Sequence, residues 1–474
     1  MSKLAIFFKK NLDYLLGIFA SSVDKIGGLL LFLILSRFIT KIELGEFALS
    51  MTIAGMFTIF SSIGIHSALS TLISKYIALD IDKSYDLLVT GCGVFIFWST
   101  LLTLSLYAIT KFIGVNLLPI DIEILEVVIF YSQIEAGIQL IVFILNGLQN
   151  FTYIVILRTI KAVLNLFLPL IFVLFYDYSW LYKGMLISSL CVLLVSCIVV
   201  SFSIVKIYGN TSFSLRKVVF RELIDLALPS MLSSAVIQPA AIGSRLKIAN
   251  SLSGFGGVAS FSAATKIQGL FNMIGNGIGL ILVPKLSDPS NRSMQADSQI
   301  NLYANWLLPL LVTIPLLIFP ESIAIIFGDA FNSYTDRLVF SIVLVYGSIS
   351  MFTQGLARLL LTQGAMWLAF LNNFVWAVLV LVGIAFFGKW GVIGVSVTIV
   401  MAYLITAIIM VPLQLAKIEL PIVSFMSYPV MLSWGIIILS FLGGLLIKPF
   451  IIRALILILL FTAYVRLFRK IMGN

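Results

Sequence analysis

Apolar stretches of eighteen or more residues succeed one another from end to end of the chain, separated by short polar or Gly/Pro breaks. Each is long enough to cross ~30 Å of hydrocarbon as a helix. The pattern predicts an all-α polytopic membrane protein of about fourteen spans. Their limits fall near 15–38, 44–66, 87–110, 122–146, 153–176, 180–205, 224–249, 256–282, 301–327, 338–363, 366–387, 390–414, 427–447 and 451–469. Only "KPF" (448–450) separates the last two.

Composition agrees. Of 474 residues, 61% are hydrophobic and 11% charged, and the mean hydropathy is +1.14. Soluble chains carry about 25% charged residues. The first apolar run has no small-residue cleavage site and leads into another span, so an uncleaved first helix is expected. Cys92, Cys191 and Cys197 all fall in predicted spans, as buried structural cysteines. His66 closes the second span, where a packing role is expected. Neither residue type suggests a disulfide framework or a metal site, and no cofactor is expected.

Charge orients the spans. The N-terminus (Lys3, Lys9, Lys10), the loop after span 6 (Lys206, Arg216, Lys217, Arg221) and the C-terminus (Arg466, Arg469, Lys470) are basic. With Lys75, Lys83, Lys285, Arg292 and Lys417, one side collects roughly fifteen cations against about eight on the other. Both termini are therefore expected in the cytoplasm. This asymmetry accounts for much of the net charge of +10, and no nucleic-acid partner is needed to explain it.

The chain also repeats itself. "FKKNLDYLLG" (8–17) and "FRELIDLALP" (220–229) align Phe8 with Phe220, Lys9 with Arg221, Asp13 with Asp225 and Leu16 with Leu228. The same offset pairs Gly45 with Gly257, and "SWLYKGMLIS" (179–188) and "KWGVIGVSVT" (389–398) share W-x-x-x-G. Two six-helix halves follow, 1–208 and 213–414, with two additional C-terminal helices in 415–474. Six spans per repeat insert both copies in one orientation, and substrate sites in such transporters lie between repeats.

Polar residues deep in the spans form stripes. In span 1, Ser21, Asp24, Lys25 and Gly28 share one broad face, although Asp24 and Lys25 point about 100° apart and are not a side-by-side salt bridge. Span 4 carries Glu135 and Gln139, and span 5 carries Arg158, Lys161 and Asn165 at i, i+3, i+7. Span 8 aligns Thr265, Gln268, Asn272 and Asn276, with Lys266 beside them, and span 10 aligns Ser350, Gln354 and Arg358. Gln238 and Pro239 lie near the repeat equivalent of Asp24, where proline opens the backbone locally.

Buried ion pairs that hold the bundle together are the simple explanation. They do not balance the signs. Lys25, Arg158, Lys161, Lys266 and Arg358 stand against Asp24 and Glu135, with Arg245 and Lys247 adding charge near the end of span 7. Each deep charge costs roughly 2.5–3.5 kcal/mol on insertion scales. A surplus of cations therefore predicts a wet cavity suited to an anionic cargo. Asp24 and Glu135 are the acids deep enough to couple an ion to transport.

"LSRFITKIELGEFALSMTI" (35–53), "FRELIDLALPSML" (220–232), "FSAATKIQGLFNMIGNGIGLILVPKLS" (261–287) and "WGVIGVSVTIVMAYL" (390–404) resemble landmarks of polysaccharide (O-antigen, Wzx-type) flippases. These belong to the multidrug/oligosaccharidyl-lipid/polysaccharide exporter superfamily. The resemblance implies two six-helix lobes in a V around a central cationic cavity, and alternating access. The implied cargo is a glycan on undecaprenyl pyrophosphate, moved from the cytoplasmic to the periplasmic leaflet of the bacterial inner membrane. A polysaccharide polymerase and a chain-length regulator are the implied protein partners.

The sequence departs from two relatives of that superfamily. Lipid II flippases concentrate arginine in the first helix, which here carries Asp24–Lys25, and multidrug exporters favour acidic cavities. A membrane-embedded polymerase or ligase is the rival of another class. It would carry catalytic groups in a large outer loop, whereas the predicted outer loops are short and lack a carboxylate pair or nucleophile–base pair. A transporter, not an enzyme, is expected. The sequence has no ATP-binding P-loop, so energy would come from a gradient, the membrane potential or consumption of the product.

Overall fold

The computed structural model describes residues 12–112, 119–209, 211, 213, 214, 217–286, 294–362, 365–419 and 426–472. Lys3, Phe8, Lys9, Lys10, Arg216 and Arg292 lie outside the described residues, as do the side chains of Ser21, Lys217, Asn276, Lys285 and Lys470. Everything regular in the described residues is helical. The helices are α1 (Leu12–Phe38), α2 (Lys41–Ser62), α3 (Ile65–Tyr76), α4 (Ile81–Phe112), α5 (Ile122–Gly147), α6 (Phe151–Phe175), α7 (Trp180–Tyr208), α8 (Lys217–Ala235) and α9 (Gln238–Ala249). They continue as α10 (Gly254–Leu286), α11 (Met294–Ile318), α12 (Ser322–Phe327), α13 (Tyr334–Thr362), α14 (Met366–Phe387), α15 (Gly391–Lys417), α16 (Tyr428–Leu446) and α17 (Phe450–Met472).

Eleven segments among the described residues are long and apolar enough to cross a membrane, two of them, 218–249 and 367–417, each running through two helices, α8 with α9 and α14 with α15. The protein is a multi-pass membrane protein.

Two predicted spans are interrupted. The stretch expected at 44–66 ends at Ser62, because Ile63 and Gly64 adopt φ of 42° and 70° and turn the chain into α3. A Cβ on Gly64 would strike the Ala227 carbonyl, so the turn excludes larger residues on two counts. His66 therefore does not close a span. It opens α3, buried with its ring 5.7 Å from Phe143 and 5.6 Å from Phe95. The stretch expected at 224–249 is likewise split between α8 and α9, with the break just before Gln238 and Pro239.

The chain forms two compact units: residues 1–31 with 46–242, and residues 32–45 with 243–474. In the first, α3 supplies Ile65, Leu69, Leu72 and Ile73 to a core completed by Leu87, Ala136, Leu140, Leu145, Leu157 and Leu223. Helix α7 shows why lipid inverts the soluble pattern. It buries Ser189, Ser196 and Ser203, and exposes Leu190, Leu194, Ile198 and Phe202. Hydrocarbon already solvates large apolar side chains, so close helix packing goes to small residues that also hydrogen-bond. Cys191 and Cys197 lie on the exposed side, correcting the expectation that they are buried, and Cys92 is half-buried. Two connections meet at one end of this unit: Lys83 pairs with Glu222 at 2.8 Å, and the Ser84 and Tyr208 hydroxyls are 2.7 Å apart.

In the second unit, Asn301 and Asn305 of α11 donate to the carbonyls of Gly355 and Met351 on α13, both at 2.7 Å. The C-terminal helices clamp onto α11, with Trp434 stacked on Trp306 at 5.2 Å and the Tyr464 hydroxyl donating to the Leu307 carbonyl. Buried Asp336 takes Lys41 on both oxygens, at 2.7 and 2.8 Å, together with the hydroxyls of Ser260 and Ser333. Arg453 reaches Glu321 at 2.8 Å.

Candidate functional site: a charged pocket in the first unit

Helix α6 has Arg158, Lys161 and Asn165 at a spacing of three and four residues, which turns all three to one side. Lys161 is the centre of what they meet. Its ammonium donates to Glu135 of α5 at 2.6 Å and stands 3.7 Å from Asp24 of α1. The other Glu135 oxygen accepts the Ser189 hydroxyl of α7 at 2.8 Å. One residue back along α7, Ser188 donates to Asn165 at 2.5 Å. Four helices are thus joined through one lysine and its neighbours.

Beside this network is a pocket of about 180 Å³, lined by Asp24, Gln139, Arg158 and Lys161, with apolar walls that include Leu157 and Phe143. That is roughly six times the volume of a liquid water molecule, enough for a compact polar headgroup but not for a glycan chain. Gln139 is exposed and sits one turn along α5 from Glu135. Lys25 is exposed, and Arg158 is within electrostatic range of both Lys25 and Lys161. Positive guanidinium and ammonium groups around a small polar space provide forked and point-charge contacts to a phosphate.

The remaining candidates belong to the second unit. Lys266 is exposed, with its ammonium 5.8 Å from the centre of the Phe32 ring. Arg245 lies over Phe261 at 5.4 Å, and the stem of Lys247 packs against Gly388. Arg358 lies against Gly275 and Gly279 of α10, donating to the Gly275 carbonyl at 2.5 Å and meeting Asn301 at 3.4 Å. Gln354 accepts from Asn305 at 3.5 Å. Gln268 is buried against Gly347, and Asn272 is half-buried. Arg358 thus contacts both α10 and α11, partners that its stripe with Ser350 and Gln354 did not reveal.

Sequence reasoning missed Ser188 and Ser189, which look like filler in an apolar run, and the Lys41–Asp336 pair. Asp336 reads as an ordinary loop acid ahead of a span, and Lys41 lies 295 residues away.

Several membrane-crossing helices, with a pocket lined by Asp24, Arg158 and Lys161 in the first unit, define a polytopic all-helical membrane protein. The chain belongs to the polysaccharide biosynthesis protein family, whose profile matches residues 14–290. Its fold is similar to that of the lipid II flippase MurJ in an inward closed conformation, with a TM-score of 0.73 at 16% identity over 97% of this chain and 100% of that one. It is also similar to an inward-facing multidrug resistance MATE family transporter of the MOP superfamily (TM-score 0.66, 14% identity, 85% of this chain and 98% of that one). A third likeness is to a MOP superfamily transporter from Pyrococcus furiosus, described as having a binding pocket of reverse polarity (TM-score 0.59, 15% identity, 86% and 94%). No curated protein sequence matches the chain.

Proposed function

We propose that the protein is a flippase for a lipid-linked oligosaccharide, carrying an undecaprenyl-pyrophosphate-linked repeat unit of O-antigen or a related surface polysaccharide across the bacterial inner membrane by alternating access. The observation that carries this reading is the pocket lined by Arg158 and Lys161, in a member of a polysaccharide biosynthesis family. A pyrophosphate presents clustered anionic oxygens, the chemistry that arginine and lysine in a low-dielectric pocket recognise. Gln139 and Asn165 add neutral hydrogen-bonding groups, and Lys25 adds positive charge. In the second unit, Lys266, Arg245 and Lys247 contribute further cations.

Both termini are proposed to be cytoplasmic, with repeat halves 1–208 and 213–414 and two added helices in 415–474. The W-x-x-x-G likeness supports the repeat. In both copies the motif opens a helix, α7 or α15, and its glycine meets backbone atoms close by: Gly184 those of Pro169, Gly394 those of Phe387. A polysaccharide polymerase and a chain-length regulator are proposed partners.

The test is complementation. Expression in strains lacking either an O-antigen flippase or the lipid II flippase should restore surface polysaccharide in the first and leave the second inviable. Rescue of the lipid II strain alone would reassign the cargo.

A further inference from the structure

The charged groups at the pocket are not equivalent. Both oxygens of Glu135 are committed, one to Lys161 at 2.6 Å and one to the Ser189 hydroxyl at 2.8 Å, and its side chain is 7% exposed. Asp24 is 39% exposed, and its contact with Lys161 is 3.7 Å, beyond hydrogen-bonding distance. Glu135 already neutralises Lys161. That leaves Asp24 as the negative charge that lines the pocket together with Arg158, with Lys25 next to it in the chain.

We propose that Asp24 is a surrogate anion. It occupies the cationic pocket while no cargo is bound, and a phosphate group displaces it on entry, whereas Glu135 stays on Lys161 throughout. The proposal rests on the reading of the cargo as anionic. It assigns the two acids different work: Glu135 holds Lys161 in place, and Asp24 competes with the ligand.

Competition of this kind has a use. A pocket of uncompensated cations would hold a pyrophosphate tightly and release it slowly. A half-exposed carboxylate on a short side chain needs only a rotamer change to leave the pocket or return to it. It lowers the cost of the empty state and helps to expel the ligand. Solvent screens a carboxylate that is 39% exposed, so removing Asp24 should tighten anion binding by only roughly tenfold.

The experiment is calorimetric titration of inorganic pyrophosphate into the purified full-length protein, with thermal unfolding followed in the same buffer. Wild type is compared with Asp24→Asn, Asp24→Ala, Glu135→Gln and Arg158→Ala. The expected result is roughly tenfold tighter binding by both Asp24 variants, with a smaller fall in unfolding temperature than Glu135→Gln shows. Glu135→Gln should unfold at lower temperature without tighter binding, and Arg158→Ala should bind weakly. Equal tightening by the Asp24 and Glu135 variants would mean that both acids only trim the potential, and the proposal fails. Unchanged or weaker binding by both Asp24 variants, beside measurable binding by wild type, also overturns it while leaving the anionic-cargo reading intact. Absence of binding by wild type and by both Asp24 variants removes the anionic-cargo reading itself.

Discussion

The Lys161 ammonium lies 2.6 Å from a carboxylate oxygen of Glu135, joining α6 to α5 inside the first unit. Truncating one partner leaves the other as an isolated charge in a low-dielectric interior. Lys161→Ala or Glu135→Leu alone should therefore destabilise the protein by roughly 3 kcal/mol. The double variant should cost much less than the sum, because it strands no charge. Thermal unfolding of the four members of this cycle in detergent checks the coupling, and additive losses would show that the pair does not act as a unit.

Arg158 and Arg358 should behave differently although both are deep arginines. Arg358 donates to the Gly275 carbonyl and meets Asn301, so Arg358→Ala should lower the amount of folded protein, by roughly 2 kcal/mol of stability. Transport per folded molecule should change little. Arg158→Ala should do the reverse, keeping abundance and losing transport. Arg158→Lys should recover only part of that loss, because a point charge replaces a fork. Quantitative immunoblotting of membranes, set beside surface polysaccharide yield, separates the two effects.

The α3–α4 and α7–α8 connections meet at one end of the first unit through Lys83 and Glu222. Reporter fusions at Lys75 and Lys217 should therefore read the same side, and the orientation inferred from basic residues makes that side cytoplasmic. A fusion at Asp177, between α6 and α7, should read periplasmic. Opposite readings at Lys75 and Lys217 would contradict the pairing.

Gly64→Val should abolish folded expression. The position combines a φ of 70° with backbone contact to Ala227, so a branched side chain meets both strain and collision. Gly55, with no neighbouring atom within 4 Å of an added Cβ, is the control: Gly55→Ala should leave abundance unchanged or slightly higher. Fluorescence-detected size-exclusion chromatography of membrane extracts reads both.

Helix positions were legible because hydrocarbon thickness sets the length of an apolar run, and α5, α6 and α7 lie close to where that rule puts them. The polar stripe of α6 was legible because i, i+3 and i+7 share a face of any helix. What each stripe meets was not. Lys161 reads as a free cation until the rotation of α5 places Glu135 beside it, and no residue in α6 records that rotation. The same holds for Arg358, whose partners lie on α10 and α11. The breaks at Gly64 and before Pro239 fell inside apolar runs that hydropathy treats as continuous. Cys191 and Cys197 were misplaced because a cysteine suits a lipid-facing surface as well as a packed interior.

The central claim is movement of an anionic, lipid-linked glycan, and flipping by the purified protein tests it most directly. Proteoliposomes are loaded with undecaprenyl-pyrophosphate-linked oligosaccharide, and the lipid reaching the outer leaflet is measured with a membrane-impermeant enzyme that modifies the sugar. Wild-type protein should expose the inner-leaflet pool well above protein-free vesicles, and Arg158→Ala, folded to the same extent, should lose at least about 1.4 kcal/mol of this rate advantage, a tenfold drop. Equal exposure with and without protein, or full activity in Arg158→Ala, would contradict the claim.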